Sequence, residues 1–218
     1  MKHFRWITAA AIAVLVSGCG ASYTPDNVSQ RVATPALAST PVAAPARAAF
    51  DVTEVNVIVP RSLIASEANS YYPAGDIVWR GDPPGDRHEQ VQAIFETAFT
   101  RGTSSLDGSV PAVLDVQVER FHSVTEKTRY TIGGVHSIRF AMVLRDAETG
   151  QMLSPPRVVK ANLKSYAGQR AIEADRQGQT QKVRITDHLA RVIQSELSAP
   201  QPVTTPQLAL IEAPDSEF

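Results

Sequence analysis

The densest grouping of chemistry-bearing side chains in the chain is Gly81-Asp82-Pro83-Pro84-Gly85-Asp86-Arg87-His88. Two carboxylates and an imidazole this close together have the types needed to ligate a divalent cation, or to move a proton as paired acid and base. His122 and His136 would join them only if the fold brought the rings together. A plainer account competes. Asp86 with Glu89 three residues on forms a helix capping box, the prolines shape a loop, and His88 is solvated. That account takes precedence, because no His-x-x-x-His or cysteine pair fixes a ligand geometry. Other chemistries lack their motifs. Gly-x-Ser-x-Gly is absent, Ser104-Ser105 has no recognisable base, and Gly133-Gly134 is not followed by the Lys of a phosphate loop. No catalytic residue, metal or cofactor is assigned.

One reactive group remains, Cys19, the single cysteine of the 218 residues. Lys2 and Arg5 precede it, then the uncharged run Trp6 to Val16, then Ser17-Gly18. A positive start, a short apolar stretch and small residues at the cut describe a secretory signal. The run falls well short of the roughly 20 residues that span a bilayer as a helix. Val16-Ser17-Gly18-Cys19 resembles the lipobox of bacterial lipoproteins, which implies that 1–18 is removed and that Cys19 carries acyl chains as the first mature residue. Two or more chains hold a protein stably on a membrane. Gly20, rather than Asp, follows the cysteine. By the enterobacterial rule that implies the outer membrane, facing the periplasm.

Composition narrows the rest. The chain carries 21 Lys+Arg against 22 Asp+Glu. Loss of Lys2 and Arg5 with the leader leaves 19 against 22, a formal charge of −3. No basic stripe of the kind that binds nucleic acid is apparent. With Cys19 acylated no disulfide can form, so the core must hold without one. Residues 19–50 contain Pro25, Pro35, Pro41 and Pro45 among Ala, Ser and Thr, and read as a tether of about 30 Å reach. Residues 199–218, with four more prolines, read as a disordered tail.

Between them, 51–198 reads as a single globular domain. Val55, Val57 and Val59 alternate with polar neighbours up to Pro60, as in a strand. Residues 61–70 are ambiguous and could hold a helical turn, and 76–80 suggest a short edge strand. Asp86 opens a helix whose apolar face is Val91, Ile94, Phe95, Ala98 and Phe99, with Gly102 as its stop. Leu114, Val116 and Val118 form the inward side of a strand, as do Ile138, Phe140, Met142 and Leu144 after a polar connection. Residues 146–150 read as a hairpin loop, and Val159, Ala161 and Leu163 as one further strand. Residues 170–177 suggest a separate helix. Thr180 then caps a long one with Ile185, Leu189, Val192, Ile193 and Leu197 inward and Arg184, His188 and Arg191 on a solvated stripe. The fold class is α+β: a mostly antiparallel sheet of about four strands, with two amphipathic helices on one face.

The opposite sheet face and the edge near Trp79 are then the less covered regions. Tyr71, Tyr72 and Trp79 with Asp82, Pro83 and Pro84 make a candidate partner surface, since aromatic rings on a loop stiffened by proline bury area with little entropy loss. Packing of the rings over the sheet is the competing expectation.

Asp76 to Arg87, Gly133-Gly134-Val135-His136-Ser137 and Arg184 to Ile193 resemble phrases of an uncharacterised family of alphaproteobacterial lipoproteins. The resemblance spans about 55–197 and implies no activity. The element order also resembles that of small periplasmic lipoproteins serving as accessory subunits of envelope transport or assembly machines. Together these features imply a non-enzymatic envelope lipoprotein that binds protein, glycan or lipid. A periplasmic hydrolase or metal-dependent enzyme using Asp82, Asp86 and the histidines is the alternative.

Overall fold

The computed structural model describes residues 50–199; the leader, Cys19, the tether to residue 49 and the tail from 200 lie outside the described residues. The strands are β1 (Phe50–Ile58), β2 (Ala65–Ser66), β3 (Ile77–Val78), β4 (Val110–His122), β5 (Val135–Asp146), β6 (Arg157–Lys160) and β7 (Leu163–Lys164). The helices are α1 (Arg87–Thr103), α2 (Glu126–Arg129), α3 (Gly168–Arg176) and α4 (Gln181–Ser198). The expected α+β class and mostly antiparallel sheet hold, but about four strands become seven.

The added strands come from divided rows. β4 is long enough to pair with β1 along its first part, Phe50↔Val110 to Ile58↔Gln117, and with β3 at its end, Ile77↔Phe121 and Val78↔His122. β2 adds outside β3. These three pairings are parallel. α1 accounts for the parallel pairings with β4, because a helix crossing the sheet face returns the chain to the end from which β3 started, whereas β2 and β3 are joined by the loop 67–76. On the other side β5 runs antiparallel to β4, from Ala112↔Asp146 to His122↔Ser137. β6 and β7 then divide the outer edge of β5. Val159, Ala161 and Leu163 are thus not one strand. Asn162 interrupts it by accepting the Ile138 amide on its own side-chain oxygen, 3.1 Å away.

The core lies on one face. A register shift between Val118 and Arg120 keeps Phe121 inward after Leu114, Val116 and Val118, and the even-numbered residues of β5 line up beside them. α1 supplies Val91, Ile94, Phe95, Ala98 and Phe99, and α4 supplies Ile185, Leu189, Ile193 and Leu197. Phe95 meets Phe99, Phe140 and Phe121 edge-on, with centroids 5.3, 5.6 and 6.0 Å away. The two expected helices cover one face; α2, in the polar connection, and the short α3 accompany them.

Asp86 caps α1, accepting the amides of His88 at 2.9 Å and Glu89 at 3.2 Å. Thr180 caps α4 by accepting the Val183 amide at 3.3 Å. Gly102, expected to stop α1, sits inside the helix, which runs on to Thr103. Its role is close approach: a Cβ there would lie 2.4 Å from the Ala190 carbonyl oxygen and 2.5 Å from Ile193 Cγ2 on α4. Alanine would favour the helix by about 1 kcal/mol, but forcing the helices apart outweighs that. Gly102→Ala is expected to lower stability by a net of up to about 2 kcal/mol, read as a lower urea midpoint. A raised midpoint would refute the close contact.

Candidate binding surface

The proline loop is built on a buried ring. Trp79 is 0% exposed, stacks edge-on to Phe121 with centroids 5.6 Å apart, and lies beneath Gly81, where a Cβ would fall 2.3 Å from the indole. The indole N–H donates to Asp82 Oδ2 at 2.8 Å, and Lys182 of α4 donates to Asp82 Oδ1 at 2.8 Å. Trp79 is therefore core and leaves the expected partner surface, and Asp82 is a structural bridge. The sheet needs a large ring where the short β3 ends, and a buried indole needs an acceptor.

The loop is held from the other side by Arg87, which is 5% exposed. Its guanidinium donates to Glu67 Oε1 and Oε2 at 2.6 and 2.8 Å, to the carbonyls of Asp82 and Pro83 at 3.3 and 3.2 Å, and to Gln90 at 2.7 Å. Nothing in its local spacing marks Arg87 as buried, so the sequence pattern missed it. Pro83 and Pro84 are exposed on this frame. Tyr71 and Tyr72 stand beside α2: Tyr71 under the Lys127 ammonium at 4.7 Å, Tyr72 88% exposed. The Ser70 and Tyr71 carbonyls accept from the hydroxyls of Thr125 and Thr128 at 2.8 and 3.3 Å.

The candidate acids and bases are held apart. Asp86 pairs with Arg61 at 2.5 Å while capping α1. His88 is not solvated; its Nε2 lies 3.0 Å from the Leu63 carbonyl oxygen. His122 Nε2 lies 3.0 Å from the Pro73 carbonyl, and His136 is buried, accepting the Val124 amide on Nδ1 at 3.3 Å. Among the described residues no three His, Cys, Asp or Glu side chains converge to hold a metal ion. Glu67, Asp86, Asp115 and Asp146 are all pushed below the usual carboxylate range, by hydrogen bonds from Arg87, Arg61, Arg145 and Thr149. That direction keeps them ionised as acceptors, whereas a general acid needs the opposite shift. Burial lowers His136 to about 3, with Arg184 and Arg129 adding to the effect.

A concavity of about 400 Å³ borders the proline loop itself, between Asp82, Pro83, Asp86 and Lys182, and two others lie apart from the candidate acids and bases. One, of about 420 Å³, lies on the sheet face opposite the helices, between Asn56, Ile58, Gln117, Ala141, Val143 and Pro156. Its floor holds the Arg145–Asp115 pair, which Asn56 joins at 3.2 Å. The other, of about 370 Å³, lies between α2, α3 and the start of α4. Its charges are paired: Arg80 with Glu126, Arg129 with Asp175 at 2.7 Å, and Lys182 with Asp82.

Residues 50–213 match the model of a family of unknown function, DUF6778, and the chain belongs to that family. No curated protein matches. The structure is similar to a Xanthomonas campestris protein of the DUF330 family, at 12% identity over 69% of this chain and 86% of that one, with a TM-score of 0.42. It is also similar to the chain of a PelC dodecamer from Paraburkholderia phytofirmans, at 16% identity over 72% and 93%, with a TM-score of 0.33. A minor lipoprotein from Acinetobacter baumannii shows 14% identity over 70% and 96%, with a TM-score of 0.30.

Two measurements check this geometry. Trp79→Ala should cost about 3–5 kcal/mol of unfolding free energy, and a loss below about 1 kcal/mol would contradict its burial. The second concerns pH. Folding lowers His136 from its ordinary 6.5 to about 3. Between those values the unfolded chain binds a proton that the folded chain refuses, so stability is full above the upper value and falls on acidification through the window. The full effect is about 4–5 kcal/mol. His136→Gln keeps an acceptor for the Val124 amide and should flatten the slope between about pH 6.5 and 5, above the range where carboxylates titrate. An unchanged slope would mean the ring is not held neutral.

Proposed function

We propose that this member of the DUF6778 family is a lipid-anchored protein of the cell envelope, held in the outer membrane and facing the periplasm. Its folded part acts there as a non-enzymatic binding or accessory subunit of an envelope transport or assembly system. The observation that carries this is the amino-terminal sequence, Lys2 and Arg5, the apolar 6–16 and Val16-Ser17-Gly18-Cys19, which supplies both an export signal and an acylation site. No helix among the described residues is long and apolar enough to cross a membrane, so attachment through Cys19 supplies what the folded part does not. A binding role, rather than a hydrolytic one, is supported by the engagement of Asp82, Asp86, His88 and His122 in structural bonds. Of the expected partner surface Tyr71, Tyr72, Pro83 and Pro84 remain, and Tyr72 is the ring with most area to lose to an envelope protein, glycan or lipid.

In cells, the protein should sediment with membranes and resist extraction by salt but not by detergent. Mass spectrometry of the mature form should find an acylated Cys19 at its amino terminus, and Cys19→Ser should leave the protein soluble in the periplasm or unprocessed. An unmodified Cys19 in the mature membrane-bound protein would overturn the assignment.

A further inference from the structure

The stripe Arg184, His188 and Arg191, expected to be solvated, is partly covered in the structure. Arg184 packs over the Tyr166 ring, its guanidinium carbon 3.6 Å from the centroid, and Arg170 of α3 lies over the same ring at 4.3 Å. These side chains line a cavity of about 410 Å³ with Leu163, Lys164, Ser165 and Ala167. Its wall contains Lys164, Arg170 and Arg184 and no carboxylate. By contrast, Arg61, Arg87, Arg101, Arg139, Arg145 and Lys182 each have a carboxylate within 4 Å. Among the described residues Lys164, Arg170 and Arg184 make no ion pair. The one hydrogen bond from the Arg184 guanidinium to the backbone goes to the Lys164 carbonyl at 3.0 Å, which leaves further N–H donors of the fork.

The surroundings supply no compensating negative charge. Asp175 is taken by Arg129 and by the Tyr130 hydroxyl. Burial pushes the Arg184 pKa down; Tyr166 opposes this, and the charges of Arg129 and Arg170 add to it. His136 and His188 are both driven toward neutrality, chiefly by burial. Two further features aim at the same space. The Ser165 hydroxyl accepts the Gly134 amide at 2.9 Å, so its own proton is left to donate. The residue preceding α3, Ala167, offers no side-chain cap, whereas Asp86, Thr125 and Thr180 cap α1, α2 and α4.

We infer that this cavity is a binding site for a phosphoryl group, gripped by Arg170 and Arg184 with Lys164 and Ser165. Guanidinium forks match the oxygens of a phosphate in pairs, and three cations suit a group with several anionic oxygens better than a single carboxylate. The cavity also has room for part of whatever carries the phosphate. The inference does not depend on the Cys19 anchor.

The test is calorimetric titration of the full chain, in non-ionic detergent at fixed ionic strength, with inorganic phosphate. Saturable binding at one site is expected. Arg170→Gln and Arg184→Gln should each weaken it about tenfold or more, the worth of a lost charge-assisted hydrogen bond. Arg184→Lys, which keeps the charge but not the fork, should weaken it less than Arg184→Gln. Arg176→Gln, on the same helix but outside the cavity, should leave binding unchanged. Arg170 is exposed, so Arg170→Gln decides the matter if Arg184→Gln fails to fold. Absence of saturable phosphate binding, binding untouched by Arg170→Gln, or equal binding of acetate would each overturn the proposal. A parallel titration with short-chain phosphatidylglycerol below its micellar concentration distinguishes sources: tighter binding than phosphate supports a lipid headgroup, and equal or weaker binding supports a free phosphorylated solute.

Discussion

The buried guanidinium of Arg87 is the constraint around which the crossover half of the molecule is arranged. A charge taken out of water is costly unless it is paired and its donors are met. Arg87 meets that demand from three separate stretches of chain: Glu67 after β2, the Asp82 and Pro83 carbonyls before α1, and Gln90 within it. Glu67 also sits near Arg80, whose guanidinium donates to the Glu67 carbonyl at 2.8 Å and pairs with Glu126 of α2. One buried charge thereby fixes the entry to α1, the proline loop and the segment leading to β3.

With that corner fixed, the Trp79–Asp82–Lys182 chain joins the same loop to the start of α4. The two large helices are then tied at one end through hydrogen bonds and further along through the Gly102–Ala190 contact. Between those ties lies the phenylalanine cluster shared by α1, β4 and β5. Polar and apolar interactions divide the work: burial supplies the driving force, and the charged bridges decide which loop conformation accompanies it.

Elements whose cause is local were legible in the sequence. The Asp86 cap, the apolar stripes of α1 and α4, and the alternation of β4 and β5 all survive in the structure, because each depends on residues a few positions apart. Elements whose cause is distant were not. The parallel pairing of β1 and β3 with β4 depends on where α1 deposits the chain. Gly102 looks like a helix terminator until α4 is brought against it, and Trp79 looks like a surface aromatic until Phe121 is placed beside it. Arg170, Tyr166 and Arg184 are far enough apart along the chain that only the fold makes them neighbours.

The division of the sheet's outer rows has a consequence for life at high local density. An unbroken strand edge offers its row of free amides and carbonyls to any neighbouring copy, and such edges zip together into aggregates. Here the row beyond β5 is cut by Asn162 into segments of four and two residues, and β2 offers two. β1, the longest such row, is kinked by a register shift between Val52 and Glu54 and closed soon after by Pro60. No edge among the described residues presents a long, straight template. Copies of this domain crowded on one surface would meet through side chains, and the sheet would not extend from one molecule into the next.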